Sequence, residues 1–126
     1  MHVAQSSANA PLVRALDEQT DAHTVWENPD SIARGVEVPD PGASPWLIDI
    51  VTESGGTGVQ VSDETAIEAA RESASLAGVE MCVEAGVALA SAMDLAAEGV
   101  FGDDDEVVVL NTGAGCKSAD WLGTVE

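Results

Sequence analysis

The segment from Val107 to Gly115 constrains the fold of this chain more than any other. Its first four residues, Val-Val-Val-Leu, lead directly into Asn-Thr-Gly-Ala-Gly at 111–115. An unbroken apolar run is typical of a buried parallel strand, because helices cover both faces of such a strand. Glycines let the next loop approach a ligand closely, and ligands of open α/β sheets bind beyond the carboxyl ends of the strands. The alternative is a tight turn after a core strand, with no ligand.

The charge of the chain limits the partners that it can have. Its 126 residues suit one domain, and 23 acidic residues against 4 Lys plus Arg give a formal net charge of −19. Such a surface repels nucleic acid and anionic membranes, so neither is an expected partner. The hydrophobic fraction of 45% separates the chain from acidic disordered tails. We hypothesise a protein that works in concentrated salt, where the screening length falls to about 3 Å.

Cysteine and histidine usage indicates a reduced, metal-free protein. Cys82 and Cys116 are the only cysteines, they form no Cys-x-x-Cys pair, and no signal peptide is evident, so a cytoplasmic location is expected. A disulfide between them stays open, but small core residues are the favoured interpretation. His2 and His23 lack ligand-spaced neighbours and are interpreted as ordinary surface residues. The apolar stretch 85–93 is too short to span a membrane.

Periodicity and cap signals predict an α/β fold. Ser62 is an N-cap candidate before a helix, and Gly55, Gly78 and Gly99 mark the ends of three helices. The order of the later elements is βαβαβ with short connections, which predicts a mostly parallel sheet with helices on both faces. Strands are predicted at 3–5, 58–61, 79–83 and 106–110, and helices at 11–16, 46–54, 63–77 and 84–98.

The predicted helix from Glu84 to Glu98 is apolar on nearly its whole circumference. Between its ends only Asp94 is charged and only Ser91 is polar. Such a helix is normally buried on all sides, which predicts that a further segment or a second subunit covers part of it. The alternative is that alanine, a good helix former, tolerates exposure.

Several motifs occur in the order found in one enzyme family. They are Val-Ala-Gln and Ala-Pro-Leu-Val-Arg-Ala within 3–15, Asn-Pro-Asp-Ser-Ile-Ala-Arg-Gly-Val at 28–36, Ser-Gly-Gly and Val-Ser-Asp-Glu within 54–64, and Thr-Gly-Ala-Gly-Cys-Lys at 112–117. With them the chain resembles the C-terminal portion of threonine synthase, a pyridoxal-phosphate enzyme of the tryptophan-synthase-β-like fold (fold type II). The resemblance implies that residues 1–126 are a single partial catalytic domain, the C-terminal part of that fold's large domain.

The resemblance also implies a cofactor-binding loop. Thr112 matches the residue whose hydroxyl hydrogen-bonds the pyridine nitrogen of pyridoxal phosphate in the family. A neutral hydroxyl leaves that nitrogen largely unprotonated, which favours elimination and replacement at the β and γ carbons of the substrate. Gly113 and Gly115 match the glycines that keep the loop close to the ring.

A second matched segment contains the remaining candidate site residues. Glu84 and Gly86 fit the family's Glu-Pro-x-Gly-Ala segment near the cofactor, with Ala85 in place of the proline. The family's Schiff-base lysine and its glycine-rich phosphate loop have no counterpart, because Lys117, the only lysine, matches a later motif position. The resemblance therefore implies no catalytic residue here, no activity of the chain alone, and a partner that is an N-terminal complement subunit or a second copy.

Other patterns receive ordinary interpretations. Gly-Cys-Lys-Ser at 115–118 does not indicate a nucleotide-binding loop, because cysteine replaces the second glycine and no helix pattern follows. The acidic run 103–105 is interpreted as a solvated loop. Packing roles are expected for the three tryptophans, Trp26, Trp46 and Trp121.

Four functions remain open from the sequence. The first is a threonine-synthase piece that acts once its other part is supplied. The second is a truncated, non-catalytic relative that binds a partner. The third is a dehydratase-type relative that acts on serine or threonine, and the fourth is an independent acidic α/β module with an unrelated ligand.

Overall fold

Two short parallel strands form the sheet of this protein. A computed structural model describes residues 1–123 of the 126. Strand β1 (Val3–Ser6) pairs with β2 (Gly58–Val61), with Val3 opposite Gly58 and Ser6 opposite Val61. No other strand joins this sheet within those residues. The α/β class and these two strands are confirmed, while the sheet is smaller than the sequence predicts.

The helix at 63–77 begins and ends at its predicted cap residues. The Ser62 hydroxyl accepts a hydrogen bond from the Thr65 N–H at 3.1 Å, and Gly78 ends the same helix at a φ of +67°. The helices are α1 (Pro11–Asp17), α2 (Ser44–Glu53), α3 (Asp63–Ala77), α4 (Val83–Ala97), a 3-10 helix (Gly115–Ser118) and α5 (Ala119–Leu122).

Helices cover both faces of the two strands. Val3 packs with the cluster that joins α1 and α2, whereas Ala4, its neighbour, packs with the cluster formed by α3 and α4. Successive side chains of a strand point to opposite faces, so the two clusters lie on opposite sides of the sheet. The larger core cluster contains Ala33, Val61, Ala66, Ala69, Val83, Val87 and Ala90.

Two predicted strands are wrong. The residues from Val79 to Cys82 connect α3 to α4, which already begins at Val83. The segment 106–110 forms no ladder, and the Val108 side chain is 83% exposed. A strand needs a hydrogen-bonding neighbour, and residues 1–123 supply none to this segment. The apolar run is therefore unpaired instead of lying in a sheet.

Helix α4 is buried on one face only. Val87, Ala90 and Leu95 are buried, while Met93 and Ala96 are exposed. Residues 1–123 leave this outer face uncovered, so its coverage by a further segment or a second subunit stays a prediction, with the tolerance of alanine for exposure as the alternative.

Some single-residue expectations are confirmed and others are corrected. Trp46 is 74% exposed and Trp121 is also exposed, so neither belongs to the core. Trp26 packs against Arg14, whose Cζ lies 4.7 Å from the centre of the Trp26 ring. Cys82 is buried as expected, but Cys116 is exposed, and both thiols are free. The acidic residues 103–105 are exposed.

Candidate functional site

Asp63 connects its own matched motif to the motif 28–36 and to the end of β1. Its Oδ1 accepts hydrogen bonds from the hydroxyls of Ser6 and Ser31, each at 2.8 Å, and its Oδ2 accepts from the Ile32 N–H at 2.7 Å. Ser6 ends β1, Ser31 and Ile32 belong to the loop 28–36, and Asp63 begins α3. Charge-assisted hydrogen bonds are the stronger kind, so this carboxylate fixes the loop against the sheet.

A second carboxylate, that of Glu37, contacts the loop 28–36. The Ser31 N–H donates to Glu37 Oε2 at 2.6 Å, and the Arg34 guanidinium donates to Glu37 Oε1 at 2.6 Å. The backbone hydrogen bond from Ser31, followed by the contact with Arg34, outweighs desolvation and lowers the pKa of Glu37 from its ordinary value. The loop therefore presents Gly35 in a fixed position.

Gly35 connects this loop to the predicted cofactor site. Its N–H donates to Glu84 Oε1 at 3.0 Å, and a Cβ on Gly35 would lie 3.1 Å from the same oxygen. Partial burial raises the pKa of Glu84, but hydrogen bonds from the Cys82 thiol, from its own backbone N–H and from Gly35, together with the charge of Lys117, hold it below its ordinary value. Glu84 is therefore ionised at neutral pH.

The loop 111–117 is attached to the start of α4. The Gly113 carbonyl accepts a hydrogen bond from the Cys82 N–H at 2.8 Å, and the Ser118 hydroxyl accepts one from the Val83 N–H at 3.1 Å. A Cβ on Gly113 would lie 2.9 Å from the Cys82 sulfur, so only glycine fits without movement. Thr112 precedes this anchored glycine, and its side chain is exposed.

The predicted site residues divide into two groups. Gly113 and Glu84 come together around Cys82 and Lys117, whose Cδ would lie 3.4 Å from a Cβ on Gly113. Gly115 packs against Glu80 and Met81, next to the same loop.

Gly86 lies elsewhere, where α4 crosses α3. A Cβ there would collide with the backbone carbonyl of Ala66, so close helix packing requires glycine at this position. The cofactor contacts of all five residues stay predictions. Sequence reasoning missed Cys82, Asp63 and Ser118, since no local signal marks their partners.

A serine, a histidine and an aspartate also meet away from this loop. His23 Nδ1 lies 2.6 Å from the Ser44 hydroxyl, and His23 Nε2 lies 3.0 Å from Asp40. The side chain of His23 is only 10% exposed, so the expectation of an ordinary surface residue is wrong. Ser44 is 2% exposed, so its hydroxyl is closed to a substrate. These contacts attach the segment 23–40 to the start of α2.

Comparison with known proteins assigns the family. The sequence model of the family of pyridoxal-phosphate dependent enzymes matches residues 1–113, which include Thr112, Gly113, Glu84 and Gly86. The chain belongs to that family.

Two threonine synthases are similar to this chain over most of its length. The chain is 30% identical to threonine synthase of Methanosarcina acetivorans over 109 residues, which are 86% of this chain and 27% of the relative. It is 28% identical to threonine synthase of Methanocaldococcus jannaschii over 116 residues, which are 92% of this chain and 29% of the relative. The chain therefore spans less than a third of the length of these relatives.

The loop of this family member fits one part of the cofactor. An exposed hydroxyl at Thr112, on a backbone held by Gly113 and Cys82, suits a neutral ring nitrogen, which needs a single hydrogen-bonding partner. The chain's only lysine, Lys117, adjoins this loop, close to Glu84.

Within residues 1–123, no helix reaches the length and hydrophobicity of a membrane span.

Proposed function

We propose that this chain is the C-terminal part of a threonine-synthase-like catalytic unit, which converts O-phosphohomoserine to threonine and phosphate with pyridoxal phosphate. The observation that carries the proposal is the anchoring of the loop 111–117 to α4 through the Cys82–Gly113 hydrogen bond at 2.8 Å. This contact fixes the backbone next to Thr112, the residue whose hydroxyl the proposal uses. The similarity to two threonine synthases supports the substrate class.

Each residue of the site has a distinct task in this proposal. Pyridoxal phosphate, when bound, supplies the electron sink for reactions at the carbons of an amino acid. Thr112 would bind the ring nitrogen through a neutral hydroxyl, which leaves that nitrogen largely unprotonated. Gly113 lets the loop lie against Cys82 without a steric clash. Glu84, ionised at neutral pH, holds the loop 28–36 at the start of α4 through Gly35.

The proposal requires parts of the catalytic unit that residues 1–126 do not contain. A covalent cofactor site needs a lysine at the imine position, and Lys117 instead follows the threonine loop. The lysine and the phosphate loop would come from the part of the catalytic unit that corresponds to the unmatched length of the relatives. A suitable probe is the part of Methanosarcina acetivorans threonine synthase that precedes its match to this chain, called the complement below.

The test is an assay of threonine and phosphate formation from O-phosphohomoserine. We expect turnover in the mixture of chain and complement and none in either protein alone. Thr112→Val removes one hydrogen bond of about 1.4–2.7 kcal/mol and should lower kcat about 10–100-fold. Thr52→Val, on the exposed side of α2, should leave kcat unchanged.

Other outcomes would contradict the proposal. Release of a 2-oxo acid and ammonia from serine or threonine, without threonine formation, would identify a dehydratase-type relative. A stable mixture with no turnover of either substrate would indicate a non-catalytic binding protein. Equal activity of Thr112→Val and Thr52→Val would remove the assigned role of the hydroxyl.

A further inference from the structure

A long irregular connection leads from α1 towards the site. Between Asp17, where α1 ends, and Ser44, where α2 begins, the structure describes every residue and contains no helix or strand. Connections of more than about 12–15 residues without secondary structure are uncommon in compact domains and usually have a function. Residues 23–40 of this connection, called the connecting loop below, reach Glu84 through the N–H of Gly35. Whatever holds this loop therefore acts on the predicted cofactor site.

The two ends of the connecting loop are joined to each other. His23 Nε2 lies 3.0 Å from Asp40 Oδ1, although the two residues are 17 positions apart in the chain. Next to this contact, the Trp26 N–H donates to the Pro39 carbonyl at 2.9 Å. Both contacts cross the base of the loop, so they close it, and Gly35 lies in the closed part.

His23 also fixes the base of the loop to a helix. Its Nδ1 lies 2.6 Å from the Ser44 hydroxyl at the start of α2. The side chain of His23 is 10% exposed and Ser44 is 2% exposed, so water has little access to this contact. A single imidazole ring therefore joins both limbs of the connecting loop to each other and to α2.

The two partners assign the hydrogens of the imidazole ring. An ionised carboxylate only accepts hydrogen bonds, so Nε2 of His23 donates to Asp40. In the neutral ring Nδ1 is then an acceptor, and the Ser44 hydroxyl donates to it. In the protonated ring Nδ1 donates, and the same hydroxyl accepts. The contacts of His23 therefore do not require one protonation state of the ring.

Gly35 lies between two anchors of the connecting loop. On one side, the Asp63 carboxylate binds Ser31 and the Ile32 N–H. On the other side, the limb 36–40 is held at the base of the loop by His23. Loss of the second anchor gives this limb more conformations, and the entropy of ordering it again weakens the hydrogen bond from Gly35 to Glu84.

We propose that His23 is a positioning residue of the cofactor site, because it holds Gly35 against the Glu84 carboxylate from the base of the connecting loop. The inference rests on the proposed function, in which Glu84 belongs to that site. His23 contacts neither substrate nor cofactor in this account and acts only through the loop. The meeting of a serine, a histidine and an aspartate is thus a clasp of the fold and not a nucleophilic centre.

Residue-resolved NMR spectroscopy of the full chain in molar salt tests the proposal. It measures the hydrogen exchange of the Gly35 N–H and the pKa of Glu84, from the carboxyl carbon shift. His23→Ala should speed the exchange of Gly35 at least about fivefold. It should also raise the pKa of Glu84 towards its ordinary value, because the carboxylate loses a donor. Exchange of the Ala69 and Ala70 amides in α3 should change less than about twofold.

Conservative variants separate the two contacts of the ring. His23→Asn places an amide near the position of Nδ1 and can keep the contact with Ser44, whereas His23→Gln places one near Nε2 and can keep the contact with Asp40. Each should change both NMR quantities less than His23→Ala does, and the pair also tests the proposal if His23→Ala does not fold. Glu27→Ala, an exposed position of the same loop, is the control and should change neither quantity.

Three results would overturn the proposal. The first is an unchanged Gly35 exchange rate and an unchanged pKa of Glu84 in His23→Ala. The second is an equal acceleration of exchange at Gly35 and in α3, because His23 would then stabilise the whole fold and not the position of the loop. The third is a change in His23→Asn and in His23→Gln as large as that in His23→Ala, because the two ring contacts would then not be the cause.

The positioning role and the proposed function fail separately, because both NMR quantities are measured without cofactor. The expected NMR changes, together with no binding of pyridoxal phosphate in any mixture, would retain the role of His23 in the loop and remove the enzymatic function. Binding of pyridoxal phosphate by the mixture of chain and complement, with unchanged NMR quantities in His23→Ala, would retain the function and remove the role of His23.

Discussion

Removal of the Asp63 carboxylate should cost more stability than any other change on the surface of α3. Asp63 accepts three hydrogen bonds, from Ser6, Ser31 and the Ile32 N–H, at 2.7–2.8 Å. Each bond to a charged acceptor contributes about 1.5 kcal/mol at the low end, or about 4.5 kcal/mol for three. Water recovers part of this because Asp63 is half-buried, so we expect Asp63→Ala to lower the free energy of unfolding by about 3 kcal/mol.

A graded series separates these bonds from the general effect of charge near a helix start. Asp63→Asn keeps an oxygen for the two serine hydroxyls but presents an amide to the Ile32 N–H, so we expect about half the loss. Glu64→Ala removes the next carboxylate in the same first turn, which is exposed, and should cost less than about 1 kcal/mol.

The assay is urea unfolding followed by far-UV circular dichroism, with all variants in the same molar salt. A loss for Asp63→Ala no larger than that for Glu64→Ala would refute the reasoning. A loss for Asp63→Asn as large as that for Asp63→Ala would show that the two hydroxyl bonds contribute little. In either case the connection between β1, the loop 28–36 and α3 would have another cause.

Three further predictions concern pH, packing and salt. The pKa of Glu84 in the fold lies below its usual 4.5, so its stabilisation is complete above pH 4.5 and disappears as pH falls through the folded value. Glu84→Gln should weaken the pH dependence of the urea midpoint over this acid range. A variant whose midpoint changes with pH as steeply as that of the wild type would contradict this. Gly86→Ala should lower the free energy of unfolding by about 2–3 kcal/mol, because the new Cβ meets the Ala66 carbonyl. The control Gly42→Ala places its Cβ in open space and should cost less than about 0.5 kcal/mol. Equal losses for the two variants in urea unfolding would contradict the packing argument. The wild-type urea midpoint should rise from dilute to molar KCl, because salt screens the repulsion within a chain of net charge −19. A midpoint that does not change with KCl concentration would contradict the salt hypothesis.

Local signals account for the parts of the fold that the sequence predicts well. Helix α3 begins after Ser62, whose hydroxyl accepts from a backbone N–H three residues later, and ends at Gly78 in the left-handed conformation. Both signals act within a few residues, so they can be interpreted without the tertiary structure. The same holds for α4, whose end lies just before Gly99 at a φ of +74°.

Long-range contacts account for the failures. The apolar run 107–110 has the composition of a strand, but pairing depends on a neighbour that residues 1–123 do not supply. The burial of His23 depends on Ser44 and Asp40, which lie 21 and 17 residues away, and no local pattern indicates that contact. The site is intermediate, since the glycine spacing around Thr112 predicts a loop while its attachment to Cys82 is visible only in the structure.

The most direct test of the central claim is a spectroscopic titration with pyridoxal phosphate in molar salt. It uses the chain alone, the complement alone and their mixture, with Thr112→Val as the variant. We predict that the absorption band of protein-bound cofactor develops only in the mixture and that Thr112→Val weakens or shifts it. A band from the chain alone, or no band in any sample, would contradict the account of this chain as the part of a pyridoxal-phosphate enzyme that holds the ring nitrogen.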